Sequence, residues 1–257
     1  MIVYEKANAF VMINQHDHAQ ISGVLASEWN NEWLHDPKRK EDLIYAAYQH
    51  DRGWIDLDFS PFWNDARRCP YSFRDFPLKP RFAFYKKGIA EVAVKNPYSA
   101  LLCSLLYTTL FERIRDEETQ GYLNEEYIRQ KRLLELLGIE SALDARIQHH
   151  LGIMLVCDEL SLFLCMEEPG TPAQEYEWFG SGVHYSAEPG SERKIQVHWQ
   201  NKNVIELSLF PFRRDVAAAL PYKEVSKLDI QAEGIIEAHR KAAQQVLNVT
   251  FTGPSQA

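Results

Sequence analysis

Paired-cysteine motifs of the kind that hold structural zinc are missing from this chain. Its four cysteines, Cys69, Cys103, Cys157 and Cys165, form no CxxC pair, and three of them sit in apolar helical stretches. Buried free thiols in a reducing compartment are therefore expected rather than disulfides. No run of about eighteen apolar residues occurs, so no membrane span is expected. Met1-Ile-Val-Tyr-Glu-Lys lacks a basic segment followed by an apolar one, so no secretory leader is expected and the chain reads as cytoplasmic. Positive charge is also in short supply: 28 Lys and Arg face 36 Asp and Glu, for a net charge of −8. Bulk attraction to nucleic acid or to an anionic membrane is thus not expected, which leaves a small molecule as the expected partner. A glycine-rich phosphate loop, a GxSxG elbow and an HExxH helix are all absent, and the chemistries they carry go with them. Internal repeats and low-complexity tracts are missing too.

Apolar residues make up 46% of the 257 positions, enough for a real core in one large domain or a domain with an appendage. Ile2 to Ile13 alternates loosely and predicts one or two short strands. Asn14 offers a cap for a helix from about Gln15 to Trp33, with Ile21, Val24, Leu25 and Trp29 at helical spacing. Asp36-Pro37 opens the next helix, which runs to His50-Asp51, and Gly53 is its natural left-handed stop. Residues 54–80 carry four prolines and many aromatics, too many prolines for long helices, and read as a wall or lid over whatever His50 and Asp51 face. Helices follow over Arg81–Val94, from Pro97 to Ile114, over Glu125–Leu137 with Asn124 as cap and Gly138 as stop, and from about Ser141 to Cys165. After Pro169 the pattern changes to strands at Tyr176–Ser186, Lys194–Trp199 and Val204–Leu209, with Asn201-Lys202-Asn203 as a tight turn. Tyr222–Leu228 and Val246–Phe251 add strands, Asp229–Gln245 a short helix, and Gly253–Ala257 a frayed end. The fold expected is mainly α, a helical core over residues 1–168 with a smaller C-terminal antiparallel β-sheet part over 169–257, α+β overall.

Chemistry concentrates at few positions. The chain has three His-Asp pairs, His16-Asp17, His35-Asp36 and His50-Asp51, and only the third ends an apolar helical run. His18 shares the inward face of its helix with Ile21 and Leu25. Asp158 and Glu159 are the only charges in Leu151–Cys165, a stretch apolar nearly all round. A carboxylate there requires a cation, a donor-rich pocket or a metal, or else an arginine partner. Mixed imidazole and carboxylate ligands suit one divalent ion such as manganese, iron, zinc or magnesium. Ligands on three separate helices leave coordination positions open for water and substrate, which favours activation of water and polarisation of a phosphoryl oxygen.

A helical histidine, a His-Asp pair some thirty residues on, and a distant aspartate inside an apolar helix resemble the HD-domain superfamily of metal-dependent phosphohydrolases. His18, His50-Asp51 and Asp158-Glu-Leu-Ser-Leu stand in that order over about residues 14–165. Gln15-His-Asp-His-Ala-Gln-Ile-Ser-Gly and His-Asp-Arg-Gly-Trp also look like an uncharacterised bacterial family within or beside it. The resemblance implies an all-helical core with His18, His50, Asp51 and Asp158 as metal ligands. It also implies that Asp51, beside His50, bridges to a second ion or orients the nucleophilic water. Two-metal members use further histidines between the pair and the final aspartate. Here only His149 and His150 fall there, roughly 12 Å along the helix from Asp158, and an ordinary surface place is expected for them. Tyr107 stands where another histidine might have served, so one ion is expected.

Phosphate would need donors, and Arg52 beside the pair, with Arg67, Arg68, Arg74 and Arg81 around the aromatic loop, are the candidates. Trp54 could stack on a base. The expected function is hydrolysis of a phosphate ester or nucleotide. Two alternatives are a non-catalytic metal- or ligand-binding regulatory module, and a structural helical protein in which Asp158 makes a salt bridge.

Overall fold

The computed structural model describes residues 1–187 and 193–254. The chain opens with an antiparallel hairpin, β1 (Ile2–Glu5) and β2 (Ala9–Ile13), in which Ile2 faces Ile13. Every residue of β2 is buried. Ile2, Val11 and Ile13 enter the main core, whereas Val3, Phe10 and Met12 enter a second, smaller cluster on the opposite face. A strand covered on both sides needs apolar residues at every position, which is why the alternation in its sequence is loose.

Helix α1 (Gln15–Ser27) follows directly. It stops short of the expected Trp33: Asn30 caps a separate 3₁₀ turn over Asn31–Trp33, accepting from the Glu32 amide at 3.1 Å. Asp36 caps a second 3₁₀ turn at Pro37–Arg39, and α2 (Lys40–Gln49) continues from it. Another 3₁₀ turn, Arg52–Trp54, leads into the short α3 (Ile55–Asp58). The aromatic segment then contains a two-residue hairpin, β3 (Trp63–Asn64) with β4 (Cys69–Pro70), in keeping with its prolines. Helices α4 (Leu78–Lys95) and α5 (Pro97–Phe111) meet at Asn96, whose side chain accepts from the Ser99 amide at 3.0 Å. Next come α6 (Glu117–Leu137) and α7 (Ala145–Cys165).

The second half supplies β5 (Val183–His184), β6 (Lys194–Ile195), β7 (Val197–Asn201), β8 (Val204–Leu207) and β9 (Val216–Ser226). It ends with α8 (Lys227–Glu233), α9 (Ile235–Lys241) and β10 (Gln244–Thr252). One six-stranded sheet runs in the order β1-β2-β9-β10-β8-β7. Its neighbours are antiparallel except for the parallel pair β8 and β10. The fold is thus mainly helical and α+β overall, as expected. The sheet also recruits the N-terminal hairpin, and β10 lies between β9 and β8; neither pairing was visible in the strand patterns. Of the expected strand at Tyr176–Ser186, only Val183–His184 pairs. Of the expected frayed end, residues 255–257 lie outside those described. Among the described residues no helix is long and apolar enough to cross a membrane.

Two local expectations are corrected. Asn124 is interior to α6, which begins seven residues earlier at Glu117. Asp116 caps it, accepting from the Thr119 amide at 2.9 Å and its hydroxyl at 2.7 Å. The acidic run after α5 is therefore a helix start, with Glu117 and Glu118 at the positive end of the dipole. Gly138 does end the helix in the left-handed region, at φ 65°. Gly53, by contrast, has no positive φ. It is glycine because the Arg52–Trp54 turn presses on α4: a Cβ at Gly53 would overlap the Phe84 carbonyl, and one at Gly88 would overlap the Gly53 amide. This contact fixes α4 against the segment that carries His50 and Asp51.

Gly88→Ala is accordingly expected to lower stability by about 1–3 kcal/mol, the usual cost of overpacking, in a urea denaturation series. Gly121→Ala, where an added Cβ meets nothing within 4 Å, should instead raise stability by about 0.5–1 kcal/mol, the helical advantage of alanine over glycine.

Candidate metal centre

Three helices bring the predicted ligands together. His18 stands on the inward face of α1 and is 0% exposed. Asp158 comes from the middle of α7, a helix buried on nearly every side. His50 and Asp51 meet the cluster because α2 has already ended at Gln49. His50 keeps helical angles, but Asp51 turns to φ −98°, ψ 23° as the chain enters the 3₁₀ turn. Adjacent residues that would diverge on a continuous helix here face one point.

The distances are short. Asp51 Oδ2 lies 2.7 Å from His18 Nε2 and 3.8 Å from His50 Nε2. Asp158 Oδ1 lies 3.2 Å from His50 Nε2 and 3.8 Å from His18 Nε2. The two rings meet edge to face with centroids 5.1 Å apart. Ligand atoms of His18, His50 and Asp51 all fall within 4.8 Å of one another, so this buried group could hold a metal ion.

The outer nitrogens are tied down. His50 Nδ1 donates to the Ala47 carbonyl at 2.8 Å. His18 Nδ1 lies 2.7 Å from Ser161 Oγ, which also reaches the Asp158 carbonyl at 2.8 Å. Ser22 Oγ adds a further bond to Ser161 at 2.9 Å. With Nδ1 committed to a carbonyl, the neutral His50 ring presents an Nε2 lone pair to the cluster. That lone pair meets a carboxylate oxygen: His50 Nε2, although 3.2 Å from Asp158, makes no hydrogen bond. Only a positive charge reconciles these groups: a proton, or a metal ion bound to the Nε2 atoms.

The electrostatics agree. Burial works against a charged His50, but the carboxylates of Asp51 and Asp158 outweigh it and push the imidazole up to about 9. Burial likewise opposes ionisation of Asp51, yet His50 and His18 prevail and hold its carboxyl at about 2. Tyr107 finishes the arrangement, donating to Asp51 Oδ1 at 2.6 Å, and its ring stacks on Tyr85 at 3.9 Å. The sequence reading had singled out Tyr107 only as the place of a missing histidine. Ser161 and Ser22 were not singled out at all; the one signal was a serine three residues after Asp158 on an otherwise apolar helix.

A cleft of about 1050 Å³ opens onto the cluster, lined by His50, Asp51 and Asp158 together with Tyr107, Glu159 and Arg81. Burial pushes the Glu159 carboxyl up to about 7, against the His184 amide that donates to it at 3.2 Å. Arg67 and Arg74 also line the cleft; Arg52, Trp54 and Arg68 do not. Arg52 is spent on Glu91 at 2.6 Å and Gln49 at 3.1 Å. Trp54 is 2% exposed and packs edge-on against Phe76 and Tyr85.

His149 and His150 are not surface residues, because both face the interior, at 3% and 0% exposed. His149 lies between the carbonyls of Ala187 and Trp33, at 2.6 and 2.8 Å, and stacks on His35 at 3.8 Å. His150 bonds the Tyr98 hydroxyl at 2.8 Å. Neither lines the large cleft.

Fold and site together define a mainly helical α+β protein with a buried histidine–aspartate cluster at a cleft. The chain belongs to a family described as "Protein of unknown function (DUF3891)", which matches residues 1–227 and so includes the whole cluster. No curated protein and no solved structure matches it.

Two outcomes are expected of metal binding. A proton held at about 9 competes with the ion, so apparent affinity should rise about tenfold per pH unit between pH 6.5 and 8.5 and level off above 9. Calorimetric titration of the chelator-treated protein in buffers of different ionisation enthalpy should show the matching proton release. Ser161→Ala, which removes the hydrogen-bond partner of His18 Nδ1, should weaken the ion about 10- to 100-fold while leaving the fold intact by circular dichroism.

Proposed function

We propose that the chain is a metal-dependent hydrolase of phosphate esters or nucleotides, built on the helical plan of the HD-domain superfamily. The supporting observation is the pair of imidazoles whose Nδ1 atoms are tied off and whose Nε2 atoms turn on two carboxylates beside a cleft. The donor set fits an ion: His18, His50, Asp51 and Asp158 would hold it, and the stranded His50 Nε2 gains a partner. Manganese, iron, zinc and magnesium all suit such ligands. When bound, the ion supplies Lewis acidity for a phosphoryl oxygen and an ionised water at neutral pH.

The chain's own residues do the positioning. Tyr107 occupies Asp51 Oδ1, which leaves Oδ2 for the cluster and suits one ion rather than two. Ser161 and the Ala47 carbonyl fix the ring orientations, and the carbonyl also holds the His50 tautomer. Tyr85, Leu106 and Phe111 give part of the cleft an apolar lining beside the charged groups of the cluster.

A second reading is favoured by one contact. The 2.7 Å separation of His18 and Asp51 is that of an ordinary charged hydrogen bond, and a proton there would make the cluster a structural ion pair. Elemental analysis separates the two. The hydrolase reading predicts near-stoichiometric divalent metal in the purified protein, lost in His50→Ala and Asp51→Ala. It also predicts turnover on a panel of phosphomonoesters, phosphodiesters and nucleotides that Asp158→Asn cuts by at least about a hundredfold, the scale on which a misplaced reacting group is felt. A metal-free preparation, inert on that panel after reconstitution with each of the four ions, would refute it.

A further inference from the structure

Arg81 carries a buried charge that no ion pair answers among the described residues. It is 7% exposed, and among the described residues it forms no ion pair with a carboxylate. Its Nη2 donates to the Phe76 carbonyl, and its Nε has no hydrogen-bond partner. The Tyr85 hydroxyl, a neutral group, is a polar neighbour. Arginine does not shed its proton when buried, so the charge persists. A buried cation left in this state is costly unless an anion completes it.

Its place in the fold compounds the deficit. Arg81 stands near the start of α4, whose first turn contains no acidic residue. Proteins ordinarily set an acid there; a base at this point adds like to like. A guanidinium presents a planar fork of donors that suits an oxyanion. The unmatched charge also faces a space able to receive a ligand. Arg81 lines the same cleft as Tyr85, Tyr107, His50 and Asp51, so a ligand there reaches the guanidinium and the histidine–aspartate cluster from one side.

We infer that Arg81 is the oxyanion-holding residue of this cleft, and that the cleft's ligand carries a phosphate-type group seated against the Arg81 guanidinium. The inference rests on the cleft of the proposed hydrolase but not on its turnover or its metal. It selects anionic esters over neutral ones, and it makes Arg81, not Arg52 beside the histidine–aspartate pair, the residue that sets this preference.

The test is binding of inorganic phosphate to the full-length protein as purified, by isothermal titration and thermal shift, with sodium chloride at matched ionic strength as the control. Wild type should bind saturably and be stabilised by phosphate but not by chloride. Arg81→Met should weaken phosphate by at least about tenfold, the scale of one lost hydrogen bond to a charged group, with metal content unchanged by elemental analysis. Arg81→Lys keeps the charge without the fork and should retain part of the affinity; it serves alone if Arg81→Met does not fold. With phosphate absent, Arg81→Met should melt no lower than wild type, since it removes an unanswered charge. Equal phosphate affinity in wild type and both variants, or a chloride effect as large as that of phosphate, overturns the assignment. Arg81-dependent phosphate binding by a protein that holds no metal and turns nothing over would sustain this inference while defeating the hydrolase reading. Turnover indifferent to Arg81 would do the reverse.

Discussion

A carboxylate cannot rest against the lone pair of an imidazole in a dry interior without a positive charge between them. That constraint governs this molecule. His50 has its outer nitrogen committed to the Ala47 carbonyl, so its inner nitrogen confronts Asp158, while His18 lies against Asp51. The four groups come from α1, the turn after α2, and α7. Whatever supplies the positive charge therefore also fastens α7 to the segments at the start of the chain. Removing one partner leaves the rest uncompensated, whereas the intact set holds a particular arrangement of helices in place.

The surroundings follow from the same need. Tyr107 satisfies the remaining oxygen of Asp51, and Tyr85 stacks on Tyr107 to fix it. The glycine pair Gly53 and Gly88 lets α4 close against the turn beside Asp51, which brings Tyr85 and Arg81 to the cleft. A chain of tight packing thus runs from a backbone contact to the orientation of a single carboxylate.

Much of the site was legible because helical spacing is local. His18 sorts inward by its distance from Ile21 and Leu25, and Asp158 stands out because its helix is apolar all round. What stayed hidden depended on non-local contacts. The convergence of His50 and Asp51 requires α2 to stop at Gln49, and the role of Gly53 is set by α4 and not by its own dihedral. Ser161 and Ser22 are small polar residues that look like filler until His18 is placed beside them. His149 and His150 look like surface residues until α7 is known to turn both inward. Asn124 and Asp116 are equally good caps by type; only the paired bonds to Thr119 decide between them. In the sheet, β7 and β8 were readable from alternation, but the start of β9 and the partners were not: no local signal tells Phe10 that it lies opposite Val225.

The strand order has a consequence for how the molecule is made. β10 is interior to the sheet, hydrogen-bonded to β9 on one side and β8 on the other, and the N-terminal hairpin docks on β9 in turn. During synthesis, residues 2–13 emerge long before β9, the strand on which they dock. The hairpin of β7 and β8 then waits for β10 to join it to the rest. Assembly of the sheet is a long-range event, slow by comparison with the local winding of the helices, and the nascent chain carries unpaired strand edges until β10 has emerged.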